Sequence, residues 1–259
     1  MNVVKLMGGL GNQLFQYAFG QAQMNVGFNV KYDIAWYEKA QIDREYVLYK
    51  FRVNPNISIC NVRNKPIYEK NHPHFYNNII LDNCNFIGYW QSPKYFRNIT
   101  EQLKKEFCVR GSYYTKNFLQ IQEQIRSTNS VSIHIRRGDF LQHHSHLVMN
   151  MEYYLSAMKI METLRNDIQY FVFTDDMAWA KSNFTNVNFV ELNDPCLELE
   201  LMKQCKNNII CNSTFSWWAA FLNQNKYKLV ITPKRWWRDD SAQDFLEEKE
   251  FLLDDWIKI

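Results

Sequence analysis

Val131-Ser132-Ile133-His134-Ile135-Arg136-Arg137-Gly138-Asp139-Phe140 is the stretch from which the fold is read. Val131, Ile133 and Ile135 alternate with Ser132, His134 and Arg136, and a period of two is that of a strand. The apolar set buries against one layer, and His134 and Arg136 point to the other face. Gly138-Asp139 is a turn signal that ends the strand. A histidine, two arginines and an aspartate are therefore delivered where a strand stops. In open α/β sheets, ligands bind just beyond the carboxyl ends of the strands.

Those residue types suit an anion, a diphosphate above all. The planar guanidinium matches phosphate oxygens and keeps its charge at any working pH. The aspartate either holds a guanidinium in place or takes a proton from a substrate hydroxyl. Histidine offers one donor and one acceptor to a base or sugar edge. The competing reading is a surface Arg-Arg pair with a weak salt bridge to Asp139. It loses ground because these charges end an apolar strand rather than decorate a polar helix face.

The chain downstream repeats the pattern. A helix around 117–126 precedes the stretch, and Glu152–Leu164 follows with Tyr154, Leu155, Met158, Met161 and Leu164 at helical spacing. Tyr170–Thr174 reads as a buried strand ending in Asp175-Asp176, then Ala178–Ser182 as a short helix. Strands at 188–191, 209–211 and 229–232 alternate with helices at 196–205 and 217–222. Such alternation predicts a parallel sheet covered on both faces.

Asn212-Ser213-Thr214-Phe215-Ser216 forms a second candidate site element, between a buried strand and a helix. One hydroxyl suffices to cap a helix. Three hydroxyls and an Asn exceed that need and suggest a phosphate-binding helix N-terminus. Trp217 and Trp218 read as packing residues. Asn212-Ser213-Thr214 is a formal glycosylation sequon, discounted because no secretory signal is in view. Glu198, one helix upstream, has the carboxylate that suits the adjacent N–H donors of a guanine edge; an exposed helix Glu is the plain alternative.

Upstream, Val3–Met7 reads as a strand, Gly8-Gly9-Leu10-Gly11-Asn12-Gln13 as a glycine-rich turn, and Leu14–Ala22 as a helix. This opens a nucleotide-type βαβ unit in which amides near Gly11 and Asn12 approach an anion or sugar. Gly9-x-Gly11 with Asp33 imitates a dinucleotide fingerprint, but Leu14 stands where the third glycine belongs, so nicotinamide binding is a weaker reading. From Trp36 to Cys108 the pattern is irregular, and we expect that region to complete the first domain and shape an acceptor cleft. His72-Pro73-His74 and His143-His144-Ser145-His146 are read as surface segments rather than metal sites.

Composition sets the class. Hydrophobic residues are 46% and charged residues 22% of 259, which is globular. A net charge of +3 does not indicate a nucleic-acid surface. No run approaches the ~18 apolar residues of a spanning helix. The six cysteines include no C-x-x-C pair, so zinc and redox motifs are not expected, and most of them read as reduced core thiols.

Taken together, four stretches resemble the bacterial α-1,2-fucosyltransferases and, more distantly, the wider GDP-fucose-dependent superfamily. They are Gly8–Ala18, His134-Ile135-Arg136-Arg137-Gly138-Asp139, Phe173-Thr174-Asp175-Asp176 and Asn212–Trp218, in the family's order. Glu198 departs from the family's Asp, and Thr214 from its usual Ser. The resemblance implies an α/β, GT-B-like fold: a Rossmann-like domain over 1–115 on the acceptor side, and a second over 116–259 that binds GDP-β-L-fucose. It implies inversion, an α-1,2-fucoside on a terminal galactoside of a surface glycan such as a lipopolysaccharide O-antigen, and no cofactor or essential metal. It also implies a cytoplasmic location with at most peripheral contact with the inner membrane face.

On that basis, Arg136 and Arg137 stabilise the departing diphosphate, with help from Asn212, Ser213, Thr214, Phe215 and Ser216. His134 and Glu198 hold the guanosine, Gly11 and Asn12 meet the fucose or acceptor, and Asp139 is the candidate base or an anchor for Arg137. A non-catalytic GDP-sugar or glycan-binding module is the alternative from another class.

Overall fold

The computed structural model describes residues 1–38, 44–53, 57–59, 64–69, 81–142, 144–240, 242–244 and 250–259. Cys60, His72, Pro73, His74 and His143 lie outside the described residues. The chain forms two compact units, Met1–Arg110 with Lys249–Phe251, and Gly111–Glu248 with Leu252–Ile259.

The first unit contains β1 (Asn2–Lys5), α1 (Leu10–Asn25), β2 (Val30–Asp33), β3 (Ile57–Ser58), β4 (Lys65–Tyr68), β5 (Cys84–Ile87) and α2 (Thr100–Glu106). Its sheet runs β3-β2-β1-β5-β4, with every pairing parallel. Helix α1 starts at Leu10, four residues before the expected Leu14, because Gly9 is extended and its carbonyl accepts the N–H groups of Asn12 and Gln13. Gly8 makes the turn with φ +80°, a backbone that favours glycine. Leu14, Phe15, Tyr17 and Ala18 are fully buried. A Cβ at Gly20 would come within 2.6 Å of the Tyr32 ring, so glycine lets α1 lie on β2. Gln16 accepts the Met7 N–H at 2.9 Å and donates to the Gly88 carbonyl at 3.1 Å. Gln13 clamps the chain at Glu45 and Val47 in the same way. Leu14 fills the place of a third fingerprint glycine with a core side chain.

The second unit contains α3 (Lys116–Ser127), β6 (Asn129–Ile135), α4 (Met151–Leu164), β7 (Ile168–Thr174), α5 (Met177–Asn183) and β8 (Asn188–Phe189). It continues with α6 (Pro195–Met202), β9 (Asn207–Ile209), α7 (Thr214–Leu222), β10 (Val230–Thr232) and β11 (Ile257–Lys258). The sheet order is β11-β10-β9-β6-β7-β8, again wholly parallel. The chain begins in the middle at β6, runs outward through β7 and β8, then returns beside β6 at β9 and runs outward the other way. The junction of β6 and β9 is thus the topological switch point, where a doubly wound sheet opens a crevice at its carboxyl edge.

Strand β6 is buried on both faces. Val131, Ile133 and Ile135 share a core cluster with Tyr154, Ala157 and Met161 of α4. The polar alternates Ser130, Ser132 and His134 are also buried, on the opposite face. There Ser132 accepts from the Asn208 amide at 2.7 Å, so a polar strand face is buried without loss. Cys84, Cys108, Cys196, Cys205 and Cys211 are free thiols, and all but Cys108 are buried. Among the described residues no helix is long and apolar enough to cross a membrane.

Candidate active site

The pairing of β6 with β7 places Ile135 opposite Thr174, so the residues that follow each strand emerge side by side. Arg136 and Arg137 therefore meet Asp175 and Asp176. One η nitrogen of Arg136 lies 2.7 Å from Asp139 Oδ1 and the other 3.0 Å from Asp175 Oδ2. The Phe140 ring sits 5.7 Å from the same guanidinium. Arg137 is held differently: its backbone N–H donates to Asp175 Oδ1 at 2.8 Å and its Nε to Asp176 Oδ2 at 3.0 Å. Its guanidinium lies over Trp179, 4.2 Å from the ring centre.

These contacts correct the expectation that Asp139 orients Arg137. Asp139 pairs with Arg136, and Asp176 takes Arg137. Asp176 also caps α5 by accepting the Trp179 N–H at 3.1 Å. That bond, with Arg137 adding to it, holds the Asp176 carboxyl below its ordinary pKa. Asp175 bridges both arginines, and it explains Gly138: a Cβ there would stand 2.8 Å from Asp175 Oδ2. The glycine of Arg-Arg-Gly-Asp thus leaves the Asp175 carboxylate room to sit against the turn. Asp175, Asp176 and Trp179 carry site geometry that sequence reading did not assign. The available signal was an Asp pair at the end of the next strand in chain order.

A guanidinium carries five N–H donors. Arg136 therefore keeps donors for a phosphate beside its two carboxylate partners, in a side chain 22% exposed. Arg137, stacked and salt-bridged, is better suited to support than to contact.

Across the switch point, β9 leads into Cys211 and α7. His134 Nδ1 lies 3.1 Å from Cys211 Sγ, and its ring packs 5.2 Å from Phe215. Burial, with Arg136 nearby, lowers the His134 pKa to about 3, so the imidazole is neutral in the working range. It is a hydrogen-bonding group here and not a proton shuttle.

The Asn212–Ser216 element is only partly what the hydroxyl content suggests. Helix α7 begins at Thr214, not Trp217, with Ser213 as its cap. Asn212 is buried and donates to the carbonyls of Leu147 and Trp236, both at 2.8 Å. It clasps the loops after β6 and β10 to the end of β9. Ser216 is fully buried, and its hydroxyl donates to Ser213 O at 3.2 Å. Asn212 and Ser216 thus build the helix head from within, and Thr214 and Phe215 form its partly exposed rim.

Glu198 lies in the first turn of α6, whose N-terminus, capped by Asp194, sits at this same carboxyl edge. Burial, and secondarily Asp194, raises the Glu198 pKa to about 7 against N–H groups of Leu192 and Asn193 that favour the charged form. In the first unit, Gly11 is buried within α1, and partly exposed Asn12 accepts from the Gln91 amide at 2.8 Å. Among the described residues no three His, Cys, Asp or Glu side chains gather as a metal site.

The sequence model of Glycosyl transferase family 11 matches residues 1–259. The Alpha-1,2-colitosyltransferase of Escherichia coli is 31% identical over 94% of this chain and 94% of its own. The O-antigen biosynthesis glycosyltransferase WbnK of Escherichia coli is 28% identical over 98% and 99%. The crystal structure of the α-1,6-fucosyltransferase NodZ soaked with GDP-fucose covers 85% of this chain and 91% of that one, at 11% identity and a TM-score of 0.52. The shared fold is α/β and GT-B-like, as the sequence resemblance implies.

Proposed function

The chain belongs to glycosyl transferase family 11, and on that premise we propose that it moves L-fucose from GDP-β-L-fucose to the 2-hydroxyl of a terminal galactoside. The product is an α-1,2-fucoside on a surface glycan such as a lipopolysaccharide O-antigen. The observation that carries this reading is Arg136, fixed between Asp139 and Asp175 at the edge of the switch point. Residues 116–259 bind the donor, and residues 1–115 serve the acceptor, with Asn12 meeting the fucose or acceptor and Gly11, buried in α1, behind it. A diphosphate leaving group needs charge stabilisation more than protonation, and preorganised donors are usually the largest catalytic contribution. Arg136 supplies it, Arg137 braces it, and Thr214 and Phe215 line the phosphate side with Ser213. Transfer proceeds in EDTA, without a cofactor, at or near the cytoplasmic membrane face.

Asp139 takes the proton of the attacking hydroxyl. Asp139→Asn abolishes transfer and leaves GDP binding by calorimetry within a small factor; retained transfer removes Asp139 as base.

Glu198 reads the guanine edge, whose two N–H donors need an ionised carboxylate. With its pKa near 7, the donor KM rises as pH falls below that value and is flat above it. Glu198→Gln has a raised KM with no such pH dependence. The stability sign is opposite: a raised carboxyl pKa means the folded state holds the proton more tightly, so stability falls as pH rises from about 4.5 to about 7. Ligand-free Glu198→Gln therefore melts higher than wild type above neutrality, and equal melting would deny the burial cost.

One relative favours a second donor. Colitose is fucose without its 3-hydroxyl, and the 31% identical relative carries it in its name. A site that hydrogen-bonds the 3-hydroxyl discriminates by about 10⁴. Comparing GDP-fucose and GDP-colitose in one assay decides between them.

A further inference from the structure

We propose that Cys211 is a positioning residue: its thiol donates to His134 Nδ1, fixes the imidazole proton on Nε2, and so aims a neutral N–H donor into the switch-point crevice for an oxygen of the bound nucleotide. The inference rests on the donor reading above and adds a residue to it. His134 is only 5% exposed, and among the described residues its ring has one hydrogen-bond contact, Cys211 Sγ at Nδ1, which leaves Nε2 without a partner. Nε2 is not among the fully buried polar atoms that lack a partner, so it reaches open space at the crevice and is available to a ligand there.

The direction of the Cys211–His134 bond follows from counting protons. Cys211 is buried, which pushes its thiol up to about 12, so the proton stays on sulfur. Ser216, the other polar neighbour of the thiol, donates its own proton to the carbonyls of Ser213 and Cys211. The thiol proton then has two acceptors, His134 Nδ1 at 3.1 Å and Ser216 Oγ at 3.9 Å. An imidazole nitrogen is the stronger acceptor and the nearer one, whereas sulfur accepts weakly. The opposite arrangement, Nδ1–H to sulfur, would leave Nε2 an acceptor, unable to bond an ionised phosphate oxygen, which also only accepts. The tautomer is thus set by the residue two beyond the end of β9 acting on the penultimate residue of β6. Which nitrogen carries the proton is commonly decided by the partner of the other one.

The test uses the full chain with ¹⁵N-labelled histidine, whose bare and protonated ring nitrogens have well-separated resonances. We expect His134 to show a bare Nδ1 and a protonated Nε2 through the neutral range, with Nε2 shifting when GDP is added. Cys211→Ser keeps a donor at the same place, so it keeps the tautomer and holds the GDP Kd within about threefold. Cys211→Ala mixes the tautomers and raises the GDP Kd and the donor KM about tenfold, the scale of one hydrogen bond, with kcat little changed. A wild-type Nδ1–H tautomer with GDP binding intact overturns the proposal alone. So does Cys211→Ala with wild-type tautomer and Kd, even if its Tm falls, since a packing role moves only the Tm. A protein with the expected tautomer that binds no GDP overturns the donor reading, and the role with it.

Discussion

Arg136→Ala loses at least ~100-fold in turnover, the scale of removing one oxyanion-type donor. The argument is positional. Arg136 directly follows β6 at the switch point, holds two carboxylates and still has donors to offer, and its partners fix it before any ligand arrives. Preorganisation of this kind needs no reorganisation as the diphosphate departs. Arg136→Lys does not restore the rate, because an ammonium is a point charge that cannot span Asp139, Asp175 and a phosphate together. Stability changes little, since the pairs are partly exposed and such pairs contribute weakly. Steady-state kinetics with a melting curve checks both halves, and near-normal turnover would remove Arg136 from the phosphate. Arg137→Ala shows the reverse balance: it strips Asp176 and Trp179 of a shared partner, so its Tm falls more and its turnover less.

Gly138→Ala, the mildest substitution available, loses roughly tenfold to 100-fold in turnover through Asp175. The added methyl would stand 2.8 Å from Asp175 Oδ2, the oxygen that holds Arg136. The carboxylate must withdraw, and both the Arg136 bridge and the bond to the Arg137 N–H loosen with it. A displacement near an ångström at a charge-stabilising group costs about 100-fold. The loss falls on kcat, while the acceptor KM and the circular dichroism spectrum stay close to wild type. Asp175→Asn, which keeps the shape and removes the charge, loses less than Gly138→Ala if geometry rather than charge is the larger part. Unchanged kcat in Gly138→Ala would show that Asp175 is not needed where the structure puts it.

Much of the second unit was legible because its signals are strong and local. The alternation of Val131, Ile133 and Ile135 marks β6, and the helical spacing of Tyr154, Met158 and Met161 marks α4. The end of each strand also marks the chemistry: Arg136, Asp175 and Ser213 all follow buried strands. What sequence could not give is partner choice. Asp139 and Asp176 are equally plausible partners for Arg137 until the β6–β7 register fixes the second. Nor does residue type reveal direction. Asn212 reads as a ligand group, yet its amide donates to backbone carbonyls within the fold. The head of α7 was misplaced for a related reason, since hydroxyls that suggest a loop also cap a first turn. In the first unit, β3 to β5 have two to four residues each, too few for a period to declare itself.

The most direct measurement of the central claim is transfer in EDTA from GDP-fucose to a β-galactoside panel that includes lactose, read by GDP release and product mass. The account predicts GDP release coupled to a fucosylated product whose linkage is α-1,2. Neither release nor calorimetric binding of GDP or GDP-fucose by the same preparation would contradict it.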